Sequence, residues 1–275
     1  MKFVKPKPAE VFTIASTPEW PVMEFLTDGK GSHVWTWSLA WGTFKASGTA
    51  TTPENRWDAK AVVMNLGGTL TVTAQAGQDK ATVSVNVRGT NPTAIEATQY
   101  LATQQNSAGF EKILEHESKF KQFKPNGEPV KSFDNGFGMC QLTTPAPTFA
   151  QVWNWKMNID AGLKLFEQKR VTAVTYLSQS KRTYTPEQLK YETVCRWNGG
   201  KYHEWDATAG AWVRMPNVLC DTQTGNIGWD MTKPENKDKT EAELRARDKG
   251  AYSAGPKQGA NWRYYGVCYA ERILG

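Results

Sequence analysis

From His33 to Trp41 the chain reads H-V-W-T-W-S-L-A-W. In an extended strand successive side chains point to opposite faces, so His33, Trp35, Trp37, Leu39 and Trp41 share one face and Val34, Thr36, Ser38 and Ala40 the other. A row of indoles is too apolar to leave in water, which requires a sheet with one buried face. Leu70, Val72 and Ala74 repeat the alternation, A-G-Q-D-K supplies a turn, and Val83, Val85 and Val87 resume it, as expected for a hairpin. Aromatic rows have two uses: platforms for sugar rings, or filling for a sheet core. The strict alternation favours core. Several short strands in the first third of the chain predict a small all-β sandwich over residues 1–91.

The pattern changes at Asn91-Pro92, where Pro interrupts the strand period. Thr93-x-x-Glu96 is a capping box for a helix through Ala102, so a domain boundary is expected here. Thr185-Pro186-Glu187-Gln188 is a second box with Pro at the first helical position, and Gly199-Gly200 ends the helix it starts. Ile159, Gly162, Leu163 and Phe166 form a further helical stripe. Residues 92–275 are therefore predicted to be a second, mainly α domain. It carries a long polar insertion at about 217–260 with one helical stretch near Glu241 to Lys249, either a functional loop or a flexible one. N-L-G-G-T-L-T-V-T-A and A-T-V-S-V-N-V look similar to bacterial immunoglobulin-like repeats, which implies an immunoglobulin-like form for the sandwich.

At 275 residues the chain is long enough for two cores. No apolar run approaches membrane-spanning length, so membrane insertion is not expected. M-K-F-V-K-P-K-P has charge but no apolar h-region, so it does not read as a standard signal peptide; export would need another route. The net charge of +6 and a pI of about 9.0 mark either a basic surface or attraction to a polyanion. Without a long basic block or an RNA-binding signature, nucleic acid is the weaker partner and cell wall the better one. Cys140, Cys195, Cys220 and Cys268 fit no zinc spacing and allow three disulfide connectivities. Cys220 and Cys268 bracket the polar insertion and could tie it down in an oxidising compartment, while Cys140 and Cys195 read as buried thiols.

The segment F-E-K-I-L-E-H-E-S-K-F-K-Q-F, Phe110 to Phe123, places Phe110, Ile113, Leu114 and Phe120 on one helical stripe with Glu117 among them. Glu111, Glu115, Ser118 and Gln122 lie towards the other side. Desolvation on such a face favours the protonated carboxylic acid, which suits a general acid. The structural alternative is a helix-end Glu whose stem covers apolar surface while its head reaches water.

Further along come N-G-F-G-M-C-Q-L-T (Asn135 to Thr143), N-I-D-A-G (Asn158 to Gly162), R-W-N-G-G (Arg196 to Gly200) and Y-A-E-R-I-L (Tyr269 to Leu274). In this order, after a helix ending in Glu-Ser, they resemble the lysozyme-like superfamily of goose-type lysozymes and soluble lytic transglycosylases. The resemblance covers about Asn91 to Gly275. It implies a peptidoglycan muramidase acting on the β-1,4 bond between N-acetylmuramic acid and N-acetylglucosamine, with no cofactor and no metal. Glu117 would be the catalytic acid, with Glu115 its competitor. Ser118, Phe137, Met139, Gln141, Trp197 and Asn198 would contact substrate, although Gln141 could equally be a turn-stabilising amide. Trp197 stands where the family carries Tyr, and an indole donates but cannot accept a hydrogen bond. Thr143 stands where goose-type enzymes carry Asp. Asp134 is then the candidate for positioning water, ahead of Glu128, and its alternative is a turn residue bonding its own backbone. Without such a base the enzyme would be a lytic transglycosylase giving 1,6-anhydro products. A third reading is a non-catalytic cell-wall-binding or tail-structural protein. The partner expected is peptidoglycan, with an immunity protein or delivery machinery as further candidates. The expected setting is a secreted or delivered toxin module, or a phage lysin, reaching the target periplasm or cell wall.

Overall fold

The computed structural model describes Met1–Gly275, and its compact units are Met1–Leu163 and Lys164–Gly275. The first unit opens with strands β1 (Phe3–Lys5), β2 (Val11–Ile14), β3 (Glu24–Thr27), β4 (His33–Trp41), β5 (Phe44–Thr52) and β6 (Arg56–Asp58). A single helical turn, α1 (Lys60–Val63), leads to β7 (Gly68–Ala76) and β8 (Asp79–Gly89). Helices α2 (Ala94–Ala102), α3 (Phe110–Ser118), α4 (Phe149–Trp153) and α5 (Trp155–Leu177) follow.

Five strands pair in the order β2-β8-β7-β4-β5, antiparallel except for β2 beside β8. The alternation sets the register. Trp35 lies opposite Ala74, Trp37 opposite Val72 and Leu39 opposite Leu70, so the apolar side chains of neighbouring strands meet on one face. Trp35 is fully buried and Trp37 is 8% exposed, which makes the indoles core rather than surface platforms. Thr36, Thr49, Thr73 and Thr82 line up across the opposite face.

This sheet does not belong to a separate all-β domain, and the expected immunoglobulin-like sandwich is not what the chain builds. A small sheet, β1-β3-β6, covers only part of the apolar face, through Phe25 and Trp57, whose rings lie 5.7 Å apart. The rest is covered by side chains from beyond residue 91: Phe123, Phe137, Val152 and Trp153 share one core with the strands. Gly67 sits so close to the Trp153 indole that a Cβ there would fall 2.1 Å from it. Trp155 donates its indole N–H to the Ser16 carbonyl at 2.6 Å, and the Asn91 carboxamide oxygen accepts from the backbone N–H groups of Gln122 and Phe123 at 2.8 and 2.7 Å. Alternation shows that a face must be buried but not which part of the chain buries it.

Nor is the later part of the chain helical alone, because five short strands stand among its helices. The Lys164–Gly275 unit carries α6 (Pro186–Asn198), β9 (His203–Asp206), β10 (Ala211–Arg214), β11 (Val218–Cys220), β12 (Ile227–Asp230), α7 (Glu241–Asp248), β13 (Trp262–Tyr264) and α8 (Gly266–Leu274). The strands form a β9–β10 hairpin and a β11-β12-β13 sheet. The whole chain thus holds thirteen strands in four sheets and eight helices. The polar insertion has its own small core of Ile227, Trp229, Leu244 and Trp262. Fully buried Asp221 accepts from Arg245 at 2.9 Å and from the Tyr252 hydroxyl at 3.0 Å. Cys220 and Cys268 form a disulfide that ties β11 to α8, and Cys140 and Cys195 are buried thiols.

Candidate active site

α3 starts at left-handed Gly109 and buries Phe110, Ile113 and Leu114. Glu117 lies one turn beyond Leu114 on the same side and is half-buried, whereas Glu115 and His116 are exposed. The helix stops at Ser118 because Lys119 and Phe120 adopt left-handed φ of 53° and 58°. Phe120 is therefore off the helical stripe on which its spacing placed it. Glu117 is left next to a sharp change of chain direction. The Ser118 hydroxyl donates to the Leu114 carbonyl at 3.1 Å, so its proton is committed to the helix and its lone pairs remain for a ligand.

The glycine turn is held from several sides. Gly138 has φ of 71° and donates to the Val130 carbonyl at 3.0 Å, while Phe137 and Leu142 exchange backbone hydrogen bonds at 3.1 Å. Two buried amides clamp it. Gln122 accepts from the Met139 N–H at 2.9 Å and donates to the Val152 carbonyl at 2.7 Å. Asn158, on α5, accepts from the Cys140 N–H at 2.8 Å and donates to the carbonyls of Phe137 and Gln151 at 3.2 and 3.1 Å. A Cβ at position 138 would meet these amides at 2.5 and 2.6 Å, so glycine is needed for space as well as for φ. Gln122 had no visible role in the sequence and pointed away from the apolar stripe by helical spacing. It is fully buried because the helix has already ended when the chain reaches it.

The same turn touches both helices. A Cβ on Gly162 would fall 2.5 Å from Cys140 Sγ and 3.0 Å from the Phe110 ring, so Cys140, the start of α3 and the middle of α5 close on that glycine. Burial pushes the Cys140 thiol far above its ordinary range, and the carboxylates of Glu117 and Asp160 push it further the same way. Asp160 is itself held by the Tyr100 hydroxyl at 2.8 Å.

None of the known protein-family models matches this chain, and no curated protein matches it either.

The remaining candidate residues fall in distinct environments. Met139 is fully buried, and Phe137 is 8% exposed with its ring 5.5 Å from Phe44 and 6.1 Å from Trp41. Gln141, half-buried at φ 50°, donates its amide to the Gly138 carbonyl at 2.6 Å, which is the turn-stabilising role. Asp134 is exposed and accepts from the Ser132 hydroxyl inside its own turn. Glu128 lies 3.6 Å from Arg88. Trp197 and Asn198 belong to the second unit, at the end of α6. The Trp197 ring packs 6.3 Å from Phe166, Asn198 is exposed, and Gly199 follows with φ of 101°. Gly266, at the start of α8, is pressed against this end: a Cβ there would lie 2.0 Å from the Gly199 carbonyl oxygen. No cluster of three or more His, Cys, Asp or Glu is arranged to hold a metal ion, and no helix is long and apolar enough to cross a membrane.

Proposed function

We propose that the protein is a peptidoglycan glycosidase, a muramidase that hydrolyses the β-1,4 bond between N-acetylmuramic acid and N-acetylglucosamine. The observation that carries this reading is the convergence of three short segments, each weak alone. Phe110 at the start of α3 and Cys140 of the N-G-F-G-M-C-Q turn meet at Gly162 of the N-I-D-A-G stretch, Gln122 and Asn158 bond the turn, and the Glu117 carboxylate lies near enough to act on the Cys140 thiol. In the proposed reaction Glu117 gives its proton to the glycosidic oxygen as the C1–O bond breaks. A water molecule, deprotonated by Asp134, then adds to the oxocarbenium-like carbon. Ser118 and Gln141 are the proposed polar contacts to sugar. The Cys220–Cys268 disulfide fits an oxidising destination such as a target periplasm, in keeping with a delivered toxin module or phage lysin.

A specific observation favours a second reading, the lytic transglycosylase. The Asp134 carboxylate accepts from the Ser132 hydroxyl, whose oxygen in turn accepts from the Gly136 N–H, so Asp134 is engaged within its own turn rather than left for water. Mass spectrometry of the products from purified cell wall separates the two. Hydrolysis gives reducing ends, and Asp134→Asn should abolish them while sparing binding. Products ending in 1,6-anhydro sugars from the wild type would remove Asp134 from the mechanism and establish the transglycosylase.

A further inference from the structure

Phe133 is 97% exposed, against 67% for Ile95, the next most exposed large apolar side chain. It does not sit on a loose loop. The Ser132 N–H donates to the Gly136 carbonyl at 2.9 Å, the Gly136 N–H donates to Ser132 Oγ at 2.7 Å, and Asn135 donates to the Ser132 carbonyl at 3.3 Å. The strand-like bridge between Lys131 and Phe137 closes the base of this turn. A phenyl ring is thus held in water on a latched backbone, directly before the glycine turn that Gln122 and Asn158 clamp. Its sequence neighbours Lys131, Asp134 and Asn135 are exposed and polar.

This composition discriminates between occupants. A protein-binding hot spot centres on a cluster of apolar anchors in a desolvated patch. Between Ile95 and Val171 in the sequence, Phe133 is the one exposed large apolar side chain, and charge and amide flank it. A pyranose ring asks for that mixture: one apolar face of C–H groups for an aromatic ring, and an edge of hydroxyl and N-acetyl groups for planar polar side chains. We infer that the tip formed by Ser132 to Asn135 is a glycan subsite, in which Phe133 stacks on an N-acetylhexosamine ring and the Asn135 amide bonds its polar edge. The inference rests on the glycosidase reading and extends it, because it assigns a ring that anchors the glycan chain.

The test uses the full chain and purified peptidoglycan sacculi, comparing wild type, Phe133→Ala and Phe133→Trp. The expected result for Phe133→Ala is a half-saturating sacculus concentration raised about tenfold, on the scale of one lost aromatic contact, with kcat within about twofold. Phe133→Trp should restore wild-type affinity. All three should unfold at the same temperature, since the side chain packs against nothing. If the wild type clears sacculi and Phe133→Ala does so with unchanged half-saturation, the subsite is overturned and the glycosidase reading stands. Equal losses in the Ala and Trp variants would also overturn it, because stacking would then be irrelevant. A wild type that neither clears nor co-sediments with sacculi removes the glycosidase reading and the subsite together.

Discussion

At Gly162 the absence of a side chain is what lets Cys140 Sγ and the Phe110 ring approach α5. Gly162→Ala should destabilise the protein by about 1–3 kcal/mol, the usual cost of forcing volume into a packed contact. Chemical denaturation of Gly162→Ala, Cys140→Ala and the double variant gives a direct check. The two changes should be coupled, the double variant losing less than the sum, whereas strict additivity would mean that the thiol does not press on residue 162. This contact shows how far the motifs could be read beforehand. Asn158, Gly162 and the glycine turn stood out as spaced residues, but the spacing gave no sign that an amide, a thiol and a ring join them. Gln122 was invisible for a related reason. Its burial depends on where α3 ends, and Lys119 and Phe120 are not residues whose side chains announce a left-handed stop.

At the scale of elements, local chemistry was the most legible part of the chain. The capping boxes at Thr93 and Thr185 form as expected, and Thr240 begins α7 in the same way. Two of these boxes, those that end in Glu, have a measurable consequence. The Thr93 backbone N–H and hydroxyl hold the Glu96 carboxyl below its ordinary value of 4.5, and those of Thr240 do the same for Glu243. A carboxyl lowered in the folded state contributes stability that is complete above about pH 4.5 and is lost as pH falls through the folded value. Glu96→Gln/Glu243→Gln should therefore show a shallower loss of stability between neutral pH and pH 3 than the wild type. An acid limb of unchanged slope in thermal melts would contradict the role of the boxes. Three strands of the five-stranded sheet, β4, β7 and β8, were legible for an equally local reason, since a period of two and the A-G-Q-D-K turn specify them. The strands of the second unit were not, because β9 to β13 are three or four residues long, too short for a period to declare itself.

For the molecule as a whole, the sequence showed that a face had to be buried without showing by what. An aromatic row reads the same whether a second sheet or a later helical segment covers it, and here Phe123, Phe137, Val152 and Trp153 do much of the covering. The polar insertion was misleading in the same sense, for a core of four side chains is too small to raise the local hydropathy. The disulfide anchors that region: in the chain-entropy picture, closing a loop across a separation of 48 residues is worth about 4 kcal/mol. The central claim about this molecule is that Glu117, half-buried at the end of α3, supplies the proton for glycosidic cleavage. The most direct measurement is the clearance rate of purified sacculi by Glu117→Gln beside Glu115→Gln and the wild type. Glu117→Gln should fold normally and lose a hundredfold or more in rate, on the order expected for removal of a general acid, while Glu115→Gln stays close to the wild type. Near-normal clearance by Glu117→Gln would contradict the account.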